Sequence, residues 1–325
     1  MNQRQFHDLS KYAHVHNVSE LPPGASGYEL LERDAYIDSM VKANIPLMQG
    51  STFVRQLPPD GSYSFPPSAD PLDLLGVKNQ NQVGACAGFA TAQVGEGCSW
   101  IANPGNVTRY SGWAQYILAQ EDDGFRQKGQ TSFDRRDDKG STPTGNARAF
   151  METGLVPQDM CPPDPTTYDQ GWAVTDEMRE AAAGNKIKTA VYLETPDHVK
   201  KFVQSGLGFP TLACRWMAHF DIKTPGFVLN DFRGPQRQDR HGGGHQVCIM
   251  GWYQHPRYGF CLVLVNSWSP KWQDEGAVLI TWKWLCDAMQ DKMTILIGYS
   301  DLQLAQSNKL FVPRSPVVTG KNVFG

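Results

Sequence analysis

The segment VKNQNQVGACAGFA at residues 77–90 runs on into TAQVGEGCSWIA at 91–102. From Gly84 it is dense in Ala and Gly and carries very little charge. Small residues on every side predict a helix packed closely all round, a buried central helix. Glycine lowers helix propensity, so packing must hold it. Cys86 stands just after Gly84 and Ala85 and opens this helix, which places its sulfur at a helix N-terminus. The dipole and N–H groups there favour thiolate over thiol. Gln80 lies six residues upstream in a Gly-containing loop, where its amide can fold back towards the sulfur. That amide and the Cys86 N–H together would form an oxyanion hole.

A second segment complements the first. HQVCIMGWY (245–253) and YGFCLVLVN (258–266) read as two strands of a hairpin joined by QHPR (254–257). That register sets Tyr253 opposite Tyr258 and His245 opposite Asn266. Directly opposed residues share a face of the sheet, so the Asn266 amide could hold the imidazole of His245 in one tautomer. A base with an orienting partner is half of a nucleophile–base–orienter set. Trp268 falls on the same face and would shield that hydrogen bond from water. His241, four residues before His245 beside the same glycines, is the rival base; it lies outside the paired strands.

With these residues in view, VKNQNQVGACAGFA resembles the active-cysteine segment of the papain and cathepsin family, VKNQGxCGSCWAF. NSW at 266–268, followed by W-x-x-x-G at 272–276, resembles that family's asparagine region. The resemblance spans roughly 65–300 and is dense around the two segments. It implies an α+β, papain-like two-lobed fold, with a helical lobe, an antiparallel β-sheet lobe and a cleft between them. It places Cys86 on the nucleophile, His245 on the base, Asn266 on the orienting asparagine, Gln80 on the oxyanion glutamine and Trp268 on the shielding tryptophan. By position, Gly140 and Ser141 match the residues that pair with substrate backbone. Val83 stands where the family has a disulfide cysteine, and Ala87 where it has tryptophan.

Outside these segments the chain divides into an N-terminal arm or pro-like extension (1–60), a helical lobe with the nucleophile (61–165), a β lobe with His245 and Asn266 (166–300) and a C-terminal tail (301–325). The arm holds one helical candidate at 28–43, and SFPPSADPLD reads as an extended lead-in. Helices are expected at 108–120, 144–153 and 196–205, and strands at 186–193 and 210–217. The charged stretch 122–140 reads as a solvated loop, Asp122 and Asp123 included. GAVLIT completes a three-stranded meander with the hairpin.

Hydrophobic residues make up 40% and charged residues 19% of the 325, with a net charge of −3. That balance gives no basic field to attract nucleic acid or an anionic membrane. The longest clean apolar run, 260–265, is far short of the ~20 residues that span a bilayer. The opening residues lack the pattern of a secretory signal, so a cytoplasmic location is expected, or a virion-associated one if the source is viral. The seven cysteines show no CxxC pair, which argues against a disulfide framework or structural zinc. Cys98, Cys161, Cys214, Cys248, Cys261 and Cys286 are read as small core residues. No metal or cofactor is expected. The expected function is a papain-like cysteine endopeptidase acting on protein or peptide substrates through a thioester. The alternative is a structural component of a large assembly, such as a phage or viral particle, held through the arm and tail. A compact Cys–His cell-wall amidase fits less well, because such domains lack the Gln80 spacing and the NSW segment.

Overall fold

The central helix is present as α1, Cys86–Ala102, buried along almost its whole length. The computed structural model describes residues 75–102, 106–131, 138, 140–161, 172–222, 227–233, 243–255 and 257–300. The expected arm with its helix at 28–43, the lead-in and the tail lie outside the described residues.

Two further helices, α2 (Gly112–Asp122) and α3 (Pro143–Glu152), pack beside α1. At Gly88, α1 lies directly against the backbone of α2. A Cβ there would lie 2.6 Å from both Gly112 O and Tyr116 N. These are backbone atoms that cannot turn away, so Gly88→Ala should force the helices apart. The expected loss is about 2–3 kcal/mol in urea unfolding; an unchanged midpoint would show that the contact yields freely.

On the other side α1 faces a seven-stranded sheet in the order β1-β7-β2-β4-β5-β6-β3. The strands are β1 Thr189–Tyr192, β2 Phe209–Arg215, β3 Val228–Leu229, β4 Gly244–His255, β5 Gly259–Val265, β6 Ala277–Thr281 and β7 Ile295–Ser300. All pairs are antiparallel except β3 with β6. Ala90, Val94 and Cys98 of α1 share a core with Ala213, Cys248, Met250 and Ile297. The opposite face carries α5 (Pro196–Gln204) and α6 (Trp282–Gln290), whose Phe202, Trp284 and Leu285 pack with Leu212, Val247 and Ile249. Between α3 and β1 lies a short helix, α4, Asp176–Ala182. Ser111, Thr142, Thr175, Thr195 and Thr281 cap α2 to α6 with side-chain oxygens that accept helix N–H groups.

Several expectations need correction. The helix expected at 108–120 starts only at Gly112, because Tyr110 is drawn into a bridge with Pro157 and its N–H donates to Glu96. The strands α1 covers include β7, which the sequence reading passed over, as it did α4 and α6. All six residues of β7 are buried, and a strand buried on both faces shows no alternation. The charged stretch 122–140 is not simply solvated. Asp123 accepts from Thr142 N at 2.7 Å and Thr142 Oγ1 at 2.7 Å, and Asp138 accepts from Gly84 N–H at 2.6 Å. Burial, partly offset by Arg148, raises the Asp122 carboxyl to about 6.

The hairpin register also differs. His255 pairs with Gly259, so the pairing runs beyond the expected Tyr253–Tyr258 end, and at the far end Cys248 pairs with Val265. Met250 is an extra residue between Ile249 and Gly251, a β-bulge. Carried unbroken from the tip, the register would set Asn266 on the opposite face from His245. The bulge shifts it by one and returns Asn266 to the face of His245, diagonal to it and not directly opposed.

Candidate active site

Cys86 is the first residue of α1 and is fully buried. A tight approach delivers it: Ala85 N–H donates to Val83 O at 2.7 Å, while Asp138 holds Gly84. From the sheet side, the Gln246 backbone N–H donates to Cys86 Sγ at 3.5 Å. The helix start and the histidine strand therefore meet at the sulfur, one residue from His245.

His245 is also fully buried. Its Nε2 lies 2.8 Å from Asn266 Oδ1, and the Ser267 N–H donates to that same oxygen at 2.8 Å. A backbone N–H can only donate, so the Asn266 atom facing it is the oxygen. Nε2 therefore carries the proton, and the lone pair of the neutral ring sits on Nδ1. Two tryptophans fix the ring plane. Trp268 lies over it at 4.7 Å between centroids and 32° between planes, and Trp216 meets it edge-on at 4.6 Å. Asp221 steers Trp216 by accepting from its indole N–H at 3.0 Å and from that of Trp272 at 3.2 Å.

Asn266 is anchored through its backbone, its N–H donating to Gly276 O at 3.0 Å. Gly276 has φ +86°, and a Cβ there would meet Val77 Cγ1 at 2.5 Å. A turn this tight, with the neighbouring chain this close, requires glycine.

Gln80 is fully buried. Its N–H donates to Ser267 O at 2.9 Å, Ser267 Oγ donates to its Oε1 at 2.6 Å, and its Nε2 donates to Val83 O at 2.9 Å. The beside-lying Asn79 bridges Trp268. Segments 77–86 and 245–268 thus form one cluster holding Cys86, His245, Asn266, Gln80 and Trp268.

Gly140 and Ser141 are placed differently. Gly140 N–H donates to Asp138 Oδ1 at 3.3 Å and its carbonyl accepts from Gln120 Nε2 at 3.1 Å. Ser141 is fully buried, its Oγ accepting from Asn146 Nδ2 at 2.9 Å. Both backbone groups of Gly140 already have partners, so substrate pairing there would have to displace or share them. His241 lies outside the described residues.

The sequence reading did not single out Ser267, Trp216, Asp221 or Asp138. Ser267 sits inside NSW, and its position between the two marked residues was the available signal. The other three act across gaps in the chain that no local pattern marks. The remaining cysteines form no disulfide. Burial pushes the Cys261 thiol up to about 11 and those of Cys214 and Cys248 higher still. Among the described residues, no group of three or more His, Cys, Asp and Glu side chains is placed to hold a metal ion.

The fold these elements build is that of the papain-like cysteine proteases. Among solved structures, xylellain, a cysteine protease from Xylella fastidiosa, is similar with a TM-score of 0.58 at 16% identity, covering 86% of this chain and 98% of that one. A recombinant stem bromelain precursor is similar with a TM-score of 0.55 at 15% identity, over 88% of this chain and 80% of its own. Procathepsin B S9 from Trypanosoma congolense gives 0.53 at 14%, over 80% and 84%. No protein-family model matches the sequence, and neither does any curated protein.

Proposed function

We propose that the protein is a papain-like cysteine peptidase that hydrolyses peptide bonds through Cys86, His245, Asn266 and Gln80. The observation carrying this reading is the convergence at Cys86 Sγ of a helix start and a strand whose histidine is proton-locked by Asn266. His245 Nδ1 takes the Cys86 proton, giving a thiolate favoured by the α1 N-terminus. The sulfur attacks the carbonyl carbon, and the oxyanion receives hydrogen bonds from the Cys86 N–H and the second Nε2 hydrogen of Gln80. His245 returns the proton to the leaving amine, and the S-acyl intermediate remains. Water then attacks the thioester, with His245 again accepting and returning one proton, and releases the acid product.

An epoxide or vinyl-sulfone peptide probe, followed by mass mapping, tests the assignment. The expected result is stoichiometric modification of Cys86 at pH 6–7, with Cys214, Cys248 and Cys261 unmodified because burial keeps them as thiols. Modification elsewhere with Cys86 untouched would exclude it as the nucleophile.

A further inference from the structure

Behind the triad, between α1 and the ends of β4 and β5, the structure holds a small cavity of about 10 Å3 bordered by Lys78, Phe89, Gln93, Cys248, Asn266 and Ser267. Two amide atoms of the residues on its border lack hydrogen-bond partners: Asn266 Nδ2, a donor, and Gln93 Oε1, an acceptor. Asn266 is 1% exposed and Gln93 2%. Leaving either group unmade in the interior is costly, and buried amides in native proteins are almost always satisfied by protein or by ordered water. Room of about 10–15 Å3 admits one water, provided polar partners are there to hold it. The border supplies one donor and one acceptor.

We propose that a single trapped water accepts from Asn266 Nδ2 and donates to Gln93 Oε1, which makes Gln93 a positioning residue for the triad. The other end of the Asn266 amide already holds His245 and Ser267 N–H through Oδ1. Gln93 is itself fixed, since its Nε2 donates to Gly76 O at 3.2 Å. The chain Gln93–water–Asn266–His245 therefore ties the imidazole to the body of α1, seven residues beyond the nucleophile on the same helix. Nucleophile and base would then be referenced to one rigid element from two directions. The kinetic half of this inference rests on the peptidase reading; the water itself does not.

A high-resolution crystal structure of the full chain, with kinetics of Gln93→Leu and Gln93→Asn, tests it. The wild-type map should show a water within hydrogen-bond distance of both atoms, and the leucine variant should lack it. In that variant kcat on a fluorogenic peptide should fall about fivefold to tenfold with KM unchanged, the effect of about one lost hydrogen bond. The asparagine variant keeps an amide oxygen and should recover part of the loss; it carries the kinetic comparison if leucine impairs folding. Alkylation of Cys86 by iodoacetamide needs no peptide turnover and should slow several-fold in step. A wild-type map with no water between the two atoms overturns the proposal. So does a leucine variant whose kcat and alkylation rate match the wild type. An inactive wild-type protein that nevertheless shows the water, with alkylation slowed in the variant, would count against the peptidase reading alone.

Discussion

Replacing Cys86 by alanine or serine should abolish peptide hydrolysis, with a loss on the order of 10^4-fold or more in kcat/KM. The size follows from what the sulfur contributes. Without it there is no acyl intermediate, and positioning and oxyanion stabilisation alone leave a small residual rate over water. Serine restores a hydroxyl at the same helix start, yet its proton is far harder to remove than a thiol proton, so it should be nearly as inactive as alanine. The folded state should hardly change. Cys86 shares a buried core with Ala90 and Val94, but serine is close to it in size and alanine removes only one atom at the first residue of the helix. Asn266→Ala is the informative comparison. It frees the His245 Nε2 proton and loosens the ring between Trp216 and Trp268 without removing the nucleophile, so a smaller loss, on the order of 10^2-fold, is expected. Peptide turnover in the Cys86 variants at the wild-type rate would end the enzyme assignment, whatever the fold.

The parts of this site legible in the sequence are those carried by short, chemically loaded segments. Cys86 and Gln80 share one loop and helix start, while His245, Asn266 and Trp268 sit at the far end of one hairpin, so local pattern places each group. What brings the two groups together was not legible. Gln246 N–H on Cys86 Sγ and Ser267 Oγ on Gln80 Oε1 join residues 160 and 187 apart. Such contacts are set by tertiary packing. The hairpin illustrates the limit most directly. Its expected register had the correct face for Asn266 although its loop was misplaced, because the Met250 bulge compensates for the shorter turn. Bulges leave no trace in a strand buried on both sides, where apolar residues follow one another without alternation. The same property hid β7, which lies between β1 and β2, one strand in from the edge of the sheet. Helices α1, α2, α3 and α5 were expected, yet α4 and α6 were passed over although Thr175 and Thr281 cap them as Ser111, Thr142 and Thr195 cap the others. Gly112 and not Thr108 begins α2, because Ser111 is the cap and Tyr110 is committed elsewhere.

Glu96→Ala should destabilise the fold by about 3–5 kcal/mol in urea unfolding, the cost of breaking a buried ion pair from one side. Glu96 is fully buried within α1. Its Oε1 accepts from Lys78 Nζ at 2.6 Å and from Tyr110 N–H at 2.9 Å, and Arg109 Nη1 lies 3.3 Å from Oε2. Removing the carboxylate strands the Lys78 ammonium, 12% exposed, with only the Tyr110 carbonyl at 2.8 Å, and it also leaves the Tyr110 N–H without its acceptor. A buried cation without its anion is the costly case, whereas an apolar pair of similar volume is not. The double variant Lys78→Met with Glu96→Leu should therefore be more stable than Glu96→Ala, which makes the coupling between the two sites measurable. Catalysis should suffer in the single variant beyond the loss of stability. Lys78 begins the run that docks on the asparagine segment, with its carbonyl accepting from Ser269 N–H at 3.2 Å and Gln80 N–H donating to Ser267 O two residues on. Cutting its tether to α1 lets Gln80 drift relative to Cys86, so kcat measured on the folded fraction should fall while KM holds. A Glu96→Ala protein that unfolds within about 1 kcal/mol of the wild type, the worth of one ordinary surface ion pair, would show that Lys78 finds water or another partner and that this ion pair does not fix the loop carrying Gln80.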